Sequence, residues 1–163
     1  MVAILDAHNP IRVPTNSVFI KGHSAPVCDV RWSPFKSNIL ATAAEDASIK
    51  IWDVPQEGLQ EDLTKEFQNL NGHQKKVAMM SWHPTVVDLI ASGSYDNRVI
   101  VWNFVTGSTI QTSTFNESVL SIDWSADGSL IATSTKDKLV HLIDPRANKT
   151  EFVIFFNLVF QSS

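Results

Sequence analysis

A single cysteine, Cys28, rules out an internal disulfide and every multi-cysteine zinc or iron–sulfur pattern, and makes a reducing compartment the default. Positive charge is also in short supply: 13 Lys and Arg stand against 17 Asp and Glu, a formal charge of −4. That balance speaks against a nucleic-acid binder and leaves room for a local basic patch at most. No apolar run approaches the ~20 residues that cross a bilayer, so no membrane span is expected. The opening "MVAILDAHNP" lacks the basic start and long apolar core of a signal peptide, and a cytoplasmic location follows as the expectation. Phosphate loops, glycine fingerprints and nucleophile elbows are missing too. His8, His83 and His141 are scattered without ligand spacing, so neither a metal nor a cofactor is expected. Helical periodicity is missing almost everywhere. The connection "PQEGLQEDLTKEFQNL" from Pro55 is the one place where a turn of helix is expected.

What the chain does have is repetition. "IKIWDV" at 49–54 returns as "VIVWNF" at 99–104, and Gly22-His23, Trp32, Asp46 and Trp52 all recur 50 positions later as Gly72-His73, Trp82, Asp96 and Trp102. A weaker third copy carries Val119, Trp124 and Asp137 where the second has Val77, Trp82 and Asp96. Inside each copy the period is two, as in "CDVRW", which places Cys28, Val30 and Trp32 on one face and reads Cys28 as a buried small hydrophobe. Short branched segments ("ILATA", "LIASGS", "LIATST") follow, then "SIKIW", "RVIVW" and "LVHLI", with turns such as "SPFKSN" and "SADGS" between them. Several short strands per unit, repeated at near-constant spacing, predict an all-β repeat architecture. The repeats lie near 22–55, 72–105 and 114–146.

Gly-His, then an Asp by a tight turn, then Trp-Asp or Trp-Asn resembles the WD repeat, whose units are the four-stranded blades of a β-propeller. The resemblance implies a buried polar chain in each blade: an indole N–H bonds a hydroxyl, the hydroxyl a histidine, the histidine an aspartate. By position these are Trp52, Thr42, His23 and Asp46, then Trp102, Ser92, His73 and Asp96. The third copy keeps Thr133 and Asp137 but has Phe115 and Ile143 where His and Trp would stand, so its chain is expected to fail and apolar packing to replace it. A hydroxyl, a histidine and an aspartate also invite a catalytic reading. Duplication at equivalent positions and loss of the histidine from the third copy argue for structure instead, so no catalytic residue and no enzyme are expected.

Longer wording is more specific. "GHSAPVCDVRWSPFKSNILATAAEDASIKIWDVPQEGL", "GHQKKVAMMSWHPT" and "DGSLIATSTKDKLVHLIDPR" resemble the coronins, actin-associated WD-repeat proteins, over residues 1–146. The resemblance implies about three blades of a seven-bladed propeller, a non-catalytic scaffold that binds actin filaments and helps organise the actin cytoskeleton, and the actin-nucleating complex as a further partner. A generic WD-repeat adaptor in a multiprotein complex is the alternative, and a fragment without independent function a second. Coronins also carry further blades, a linker and an oligomerising coiled coil that this text does not show. Residues 147–163, including "FVIFFNLVF", read as an atypical apolar tail. The chain is therefore expected to be a truncated or mis-spliced piece, marginal because an open ring leaves blade faces bare.

The topology of a four-stranded meander puts the Gly-His connections and the second-to-third-strand turns at one end. That end carries Lys75, Lys76, Arg98, Lys136 and Lys138 against Glu45 and Glu117, and forms the candidate partner-binding face. The opposite end is expected to be acidic, with Asp53, Glu57, Glu61, Asp62, Glu66, Asp88 and Asp127.

Overall fold

The computed structural model describes residues 1–3, 18–147 and 149–155, the last seven as backbone only. The period-two segments form three four-stranded antiparallel sheets, each a simple meander. The first contains β3 (Val27–Trp32), β4 (Ile39–Ala44), β5 (Ser48–Asp53) and β6 (Gln68–Asn71). The second contains β7 (Val77–Trp82), β8 (Leu89–Ser94), β9 (Arg98–Asn103) and β10 (Ser108–Thr114). The third contains β11 (Val119–Trp124), β12 (Ile131–Thr135), β13 (Leu139–Asp144) and β14 (Lys149–Phe155). A short pair, β1 (Val2–Ala3) with β2 (Phe19–Ile20), stands apart and touches the long connection through a parallel bridge between Ile20 and Leu63.

The repeated phrase is the third strand of each of the first two sheets. Ile49, Ile51 and Trp52 in β5, and Val99, Ile100, Val101 and Trp102 in β9, are all buried, because these strands have neighbours on both edges and packing on both faces. The second strands beside them carry small residues. Ala41 and Ala43 in β4 let the second sheet approach, and one continuous core joins them to Ile49, Ile51, Trp82, Ile90, Ile100, Trp102 and Phe104. An equivalent core joins Ala91, Val99 and Val101 of the second sheet to Val119, Trp124, Ile131 and Ile143 of the third. Sheet-on-sheet packing of this kind is where most of the apolar area leaves water.

Three expectations change. Residues 55–66 contain turns and one isolated bridge but no helix; Leu59 and Leu63 instead pack against Ile20, Leu40, Trp52 and Val54. The segment read as an atypical tail begins as a strand: β14 pairs with β13 from Asp144↔Lys149 to Leu139↔Phe155 and completes the third sheet. The remainder of that tail, 156–163, lies outside the described residues. Cys28 is exposed, and so are Val30 and Trp32, at 41% and 46%. The register of β3 on β4 jumps from Val27↔Ala44 to Asp29↔Ala43, so Cys28 is the extra residue of a β-bulge and strict alternation stops there. The same bulge recurs at Ala78 and Leu120, between Val77 and Met79 and between Val119 and Ser121.

Candidate functional site: buried polar chains and a basic rim

The strand order brings each hydroxyl beside its tryptophan. In the first sheet the Trp52 indole N–H donates to Thr42 Oγ1 at 2.8 Å, and Thr42 Oγ1 lies 2.7 Å from His23 Nε2. His23 Nδ1 lies 3.0 Å from the Asp46 carboxylate. A carboxylate accepts only, so Nδ1 carries the hydrogen, and a neutral ring then presents Nε2 as the acceptor of the Thr42 hydroxyl. The second sheet repeats the chain: Trp102 Nε1 to Ser92 Oγ at 2.8 Å, Ser92 to His73 Nε2 at 2.8 Å, and His73 Nδ1 to Asp96 at 3.0 Å. Gly22 and Gly72 lie against the two indoles. A Cβ at either position would stand 2.6 Å from the Trp52 ring or 2.8 Å from the Trp102 ring, a clash that excludes any larger residue without displacing the ring.

The electrostatics follow from this bonding. Burial opposes ionisation of Asp46, but hydrogen bonds from the Ser48 hydroxyl, the Ser24 and Ser48 backbone N–H groups and His23 outweigh it and hold its pKa down at about 2. Asp96 is likewise lowered despite burial, by the Gln74 N–H, Arg98 and His73. His73 is pushed down by burial and by Arg98, against the pull of Asp96. Thr42 and Ser92 are wholly buried, and each hydroxyl is already engaged by an indole and an imidazole. A nucleophile needs an open approach to its oxygen, and neither has one.

The third sheet differs, as expected, at the Trp position, where Ile143 packs with Ile131 and Phe115. Thr133 donates to the Ser121 carbonyl at 2.9 Å. The expectation of apolar packing alone needs correction, however. Thr135 donates to Asp137 at 2.5 Å and lies 3.1 Å from His141 Nε2, while the His141 ring contacts Phe115 at 4.8 Å. A different polar chain has formed, two positions along each strand, from Thr133 to Thr135 and from Ile143 to His141. His141 stands opposite Thr133 in the register, where the first sheet has Lys50 opposite Thr42, so no motif spacing points to it.

At the end of the sheets that holds these chains, Lys75, Lys136 and Lys138 are exposed. Hydrogen bonds tie the loops together: Tyr95 N–H to the Lys76 carbonyl, Phe115 N–H to the Asn97 carbonyl, and Lys136 N–H to the Ser118 carbonyl. Lys76 sits over the Tyr95 ring at 4.3 Å. Arg98 is not available in the same way. Its guanidinium bonds Asp96 at 2.6 Å and the Gly72 carbonyl at 2.7 Å, which makes it part of the second sheet's buried chain. The acidic group is also reduced from what the sequence suggested, because Asp62 pairs with Lys21, and Glu66 pairs with Lys50 at 2.7 Å. Among the described residues, no three His, Cys, Asp or Glu side chains are grouped to hold a metal, and no helix is long and apolar enough to cross a membrane.

Four-stranded meanders stacked face to face, two of them with a Trp–hydroxyl–His–Asp chain, define a segment of a WD-repeat β-propeller. The WD domain, G-beta repeat family matches residues 14–53, and the Anaphase-promoting complex subunit 4 WD40 domain family matches 80–157. The chain is a homologue of the coronins. It is 37% identical over 150 residues to Coronin-2A of Bos taurus, covering 88% of this chain and 29% of that protein. To Coronin-7 of Homo sapiens it is 37% identical over 147 residues, covering 90% of this chain and 16% of the relative. The crystal structure of the WD40 domain from Toxoplasma gondii coronin superposes with a TM-score of 0.81 at 40% identity, covering 83% of this chain and 35% of that one. The chain thus spans about a third or less of the relatives it matches.

Proposed function

We propose that this chain is a non-catalytic protein-binding scaffold that binds actin filaments and contributes to actin cytoskeleton organisation in the cytoplasm. The observation that carries the proposal is its coronin-type sequence over nearly nine-tenths of its length. The physical support is a basic rim on an acidic protein. Lys75, Lys136 and Lys138 project from loops at one end, and a filament surface rich in carboxylates would be drawn to that end by steering. Arg98 contributes indirectly, by fixing the Asp96 turn between these loops.

Co-sedimentation with actin filaments tests this reading. The chain should pellet with filaments, and less so as salt rises through the range where the screening length falls below ~10 Å. Reversal of Lys75, Lys136 and Lys138 to Glu should weaken binding by roughly tenfold or more and flatten its salt dependence. A chain that stays in the supernatant at every salt concentration would count against actin. It would favour a WD-repeat adaptor in a multiprotein complex, which the match of residues 80–157 to a complex-subunit family supports.

A further inference from the structure

The interface between the first and second sheets is sealed by an aromatic ring that the next interface lacks. Phe104 follows the third strand of the second sheet, is 1% exposed and stands edge-on to the Trp82 ring at 5.2 Å. In the third sheet the pair Ile131↔Ile143 repeats Ile90↔Trp102, so Pro145 occupies the place of Phe104. Proline is the smaller side chain, and a pocket of about 230 Å³ remains beside Trp124. Sheets of this chain bound it on both sides: His83, Val86, Val101 and Ile110 come from the second, Trp124 and Pro145 from the third. Val101 and Trp124 are buried, while Val86 and Ile110 are 45% and 55% exposed, so apolar surface runs from the interior out to solvent.

The pocket is held open by its own hydrogen bonds. His83 Nδ1 accepts the N–H groups of Thr85 and Val86 at 3.1 and 2.9 Å, so Nε2 carries the hydrogen and donates to the Gly128 carbonyl at 3.1 Å. The imidazole thereby fastens the Val86 loop to the Gly128 loop, and it rests on the Trp124 ring at 4.4 Å. A wall fixed in this way loses little freedom when a ligand enters. The loops around the pocket carry Asp88, Asp127 and Asp144. Lys36 lies 3.7 Å from Asp88, and Arg146 bonds Asp144 at 3.1 Å. Asp127 differs: it accepts from the Ser125 and Ser129 hydroxyls and the Ser129 N–H, neutral donors that hold its pKa at about 2 and leave its charge unbalanced.

We propose that this pocket is a docking site for an aromatic side chain of a partner protein, carried on a segment with lysine or arginine beside it. The ring takes the place against Trp124 that Phe104 takes against Trp82, and the neighbouring cation meets the Asp127 carboxylate. An aromatic anchor in an apolar pocket with charge at its margin is a common plan for a small interface. The site lies at the end of the sheets opposite Lys75, Lys136 and Lys138, so it is separate from the surface proposed for actin filaments.

Fluorescence anisotropy on the whole chain, with a labelled peptide of one phenylalanine between two pairs of lysines, tests this. The peptide should bind, and alanine in place of its phenylalanine should weaken binding about tenfold or more, as loss of a buried ring does. Asp127→Asn should weaken the lysine peptide and leave a version flanked by serines unchanged. Pro145→Phe fills the pocket from within and should abolish binding. Val86→Glu, at an exposed position, should do the same without entering the core, and circular dichroism would confirm that each variant keeps its β content. Equal affinity for the phenylalanine and alanine peptides overturns the proposal, as does binding that survives Val86→Glu. No binding of the phenylalanine peptide at any concentration overturns it as well.

Discussion

At the scale of single residues, the hydroxyls of the three sheets look alike in sequence but do different work. Thr42 serves an indole and an imidazole at once, so replacing it strands two buried polar groups. Thr42→Val should cost about 3 kcal/mol, from about 1–3 kcal/mol for each unpaired group. Thr133→Val breaks one bond, to the carbonyl of an exposed residue that water can reach, and should cost only about 1 kcal/mol. Chemical denaturation of the two variants would check the ratio; equal losses would mean that the buried chain adds nothing beyond one hydrogen bond. The same groups set the response to acid. His73 has a pKa below its ordinary 6.5 in the folded protein, so the unfolded chain takes up its proton first and stability is lost as pH falls below 6.5. Asp46, lowered from 3.8 to about 2, contributes stability above pH 3.8 that disappears as pH falls toward 2. Thermal melts should therefore show Tm declining in two stages, first below pH 6.5 and again below about pH 4. A Tm that holds constant from pH 8 to 5 would contradict the buried neutral state of His73.

At the scale of the element, a repeated deviation from regular strand geometry matters as much as the strands. Every first strand carries its bulge at the same place, and every tight turn between second and third strands has a residue at positive φ: Ala47 at 64°, Asn97 at 67° and Lys138 at 68°. Asn tolerates that region, while Ala and Lys pay a steric cost against the following carbonyl. Ala47→Gly should relieve it and raise stability by roughly 0.5–1 kcal/mol after the entropy of the unfolded glycine is counted, measurable as a higher urea midpoint. A lower midpoint would show that the Cβ of Ala47 contributes packing that outweighs the strain. The turns also explain the placement of the aspartates. Asp46 and Asp96 sit one residue before the positive-φ position, where the chain folds back and the carboxylate meets both the histidine and the N–H that follows it in the Gly-His loop.

At the scale of the whole molecule, charge and packing are distributed by stacking. The second and third sheets each present a tryptophan to the sheet before, and the first and second each present small-and-aliphatic pairs to the sheet after. Loops 74–76, 95–98, 116–118 and 136–138 come together because the sheets stack with the same end up, and the basic rim is a product of that alignment. Arg98 shows the limit of counting charges: it belongs to the rim in sequence and to the Asp96 chain in the structure.

The repeat period and the all-β class could be read directly from the sequence, and the residues of the two complete polar chains through its resemblance to the WD repeat. Local steric and hydrogen-bonding demands recur wherever the same unit recurs: a glycine under an indole, a hydroxyl one strand away, an aspartate in the turn. Tertiary structure alone decided the rest. A bulge cancels the alternation that placed Cys28 in the core, and register brings His141 to Thr135 although no motif links them. Backbone pairing makes a blade strand of residues 149–155 whose wording has no alternation. Trp32, Trp82 and Trp124 read identically, yet only two are buried, because burial depends on whether another sheet stands in front of the ring, and that is a property of the stack rather than of the residue.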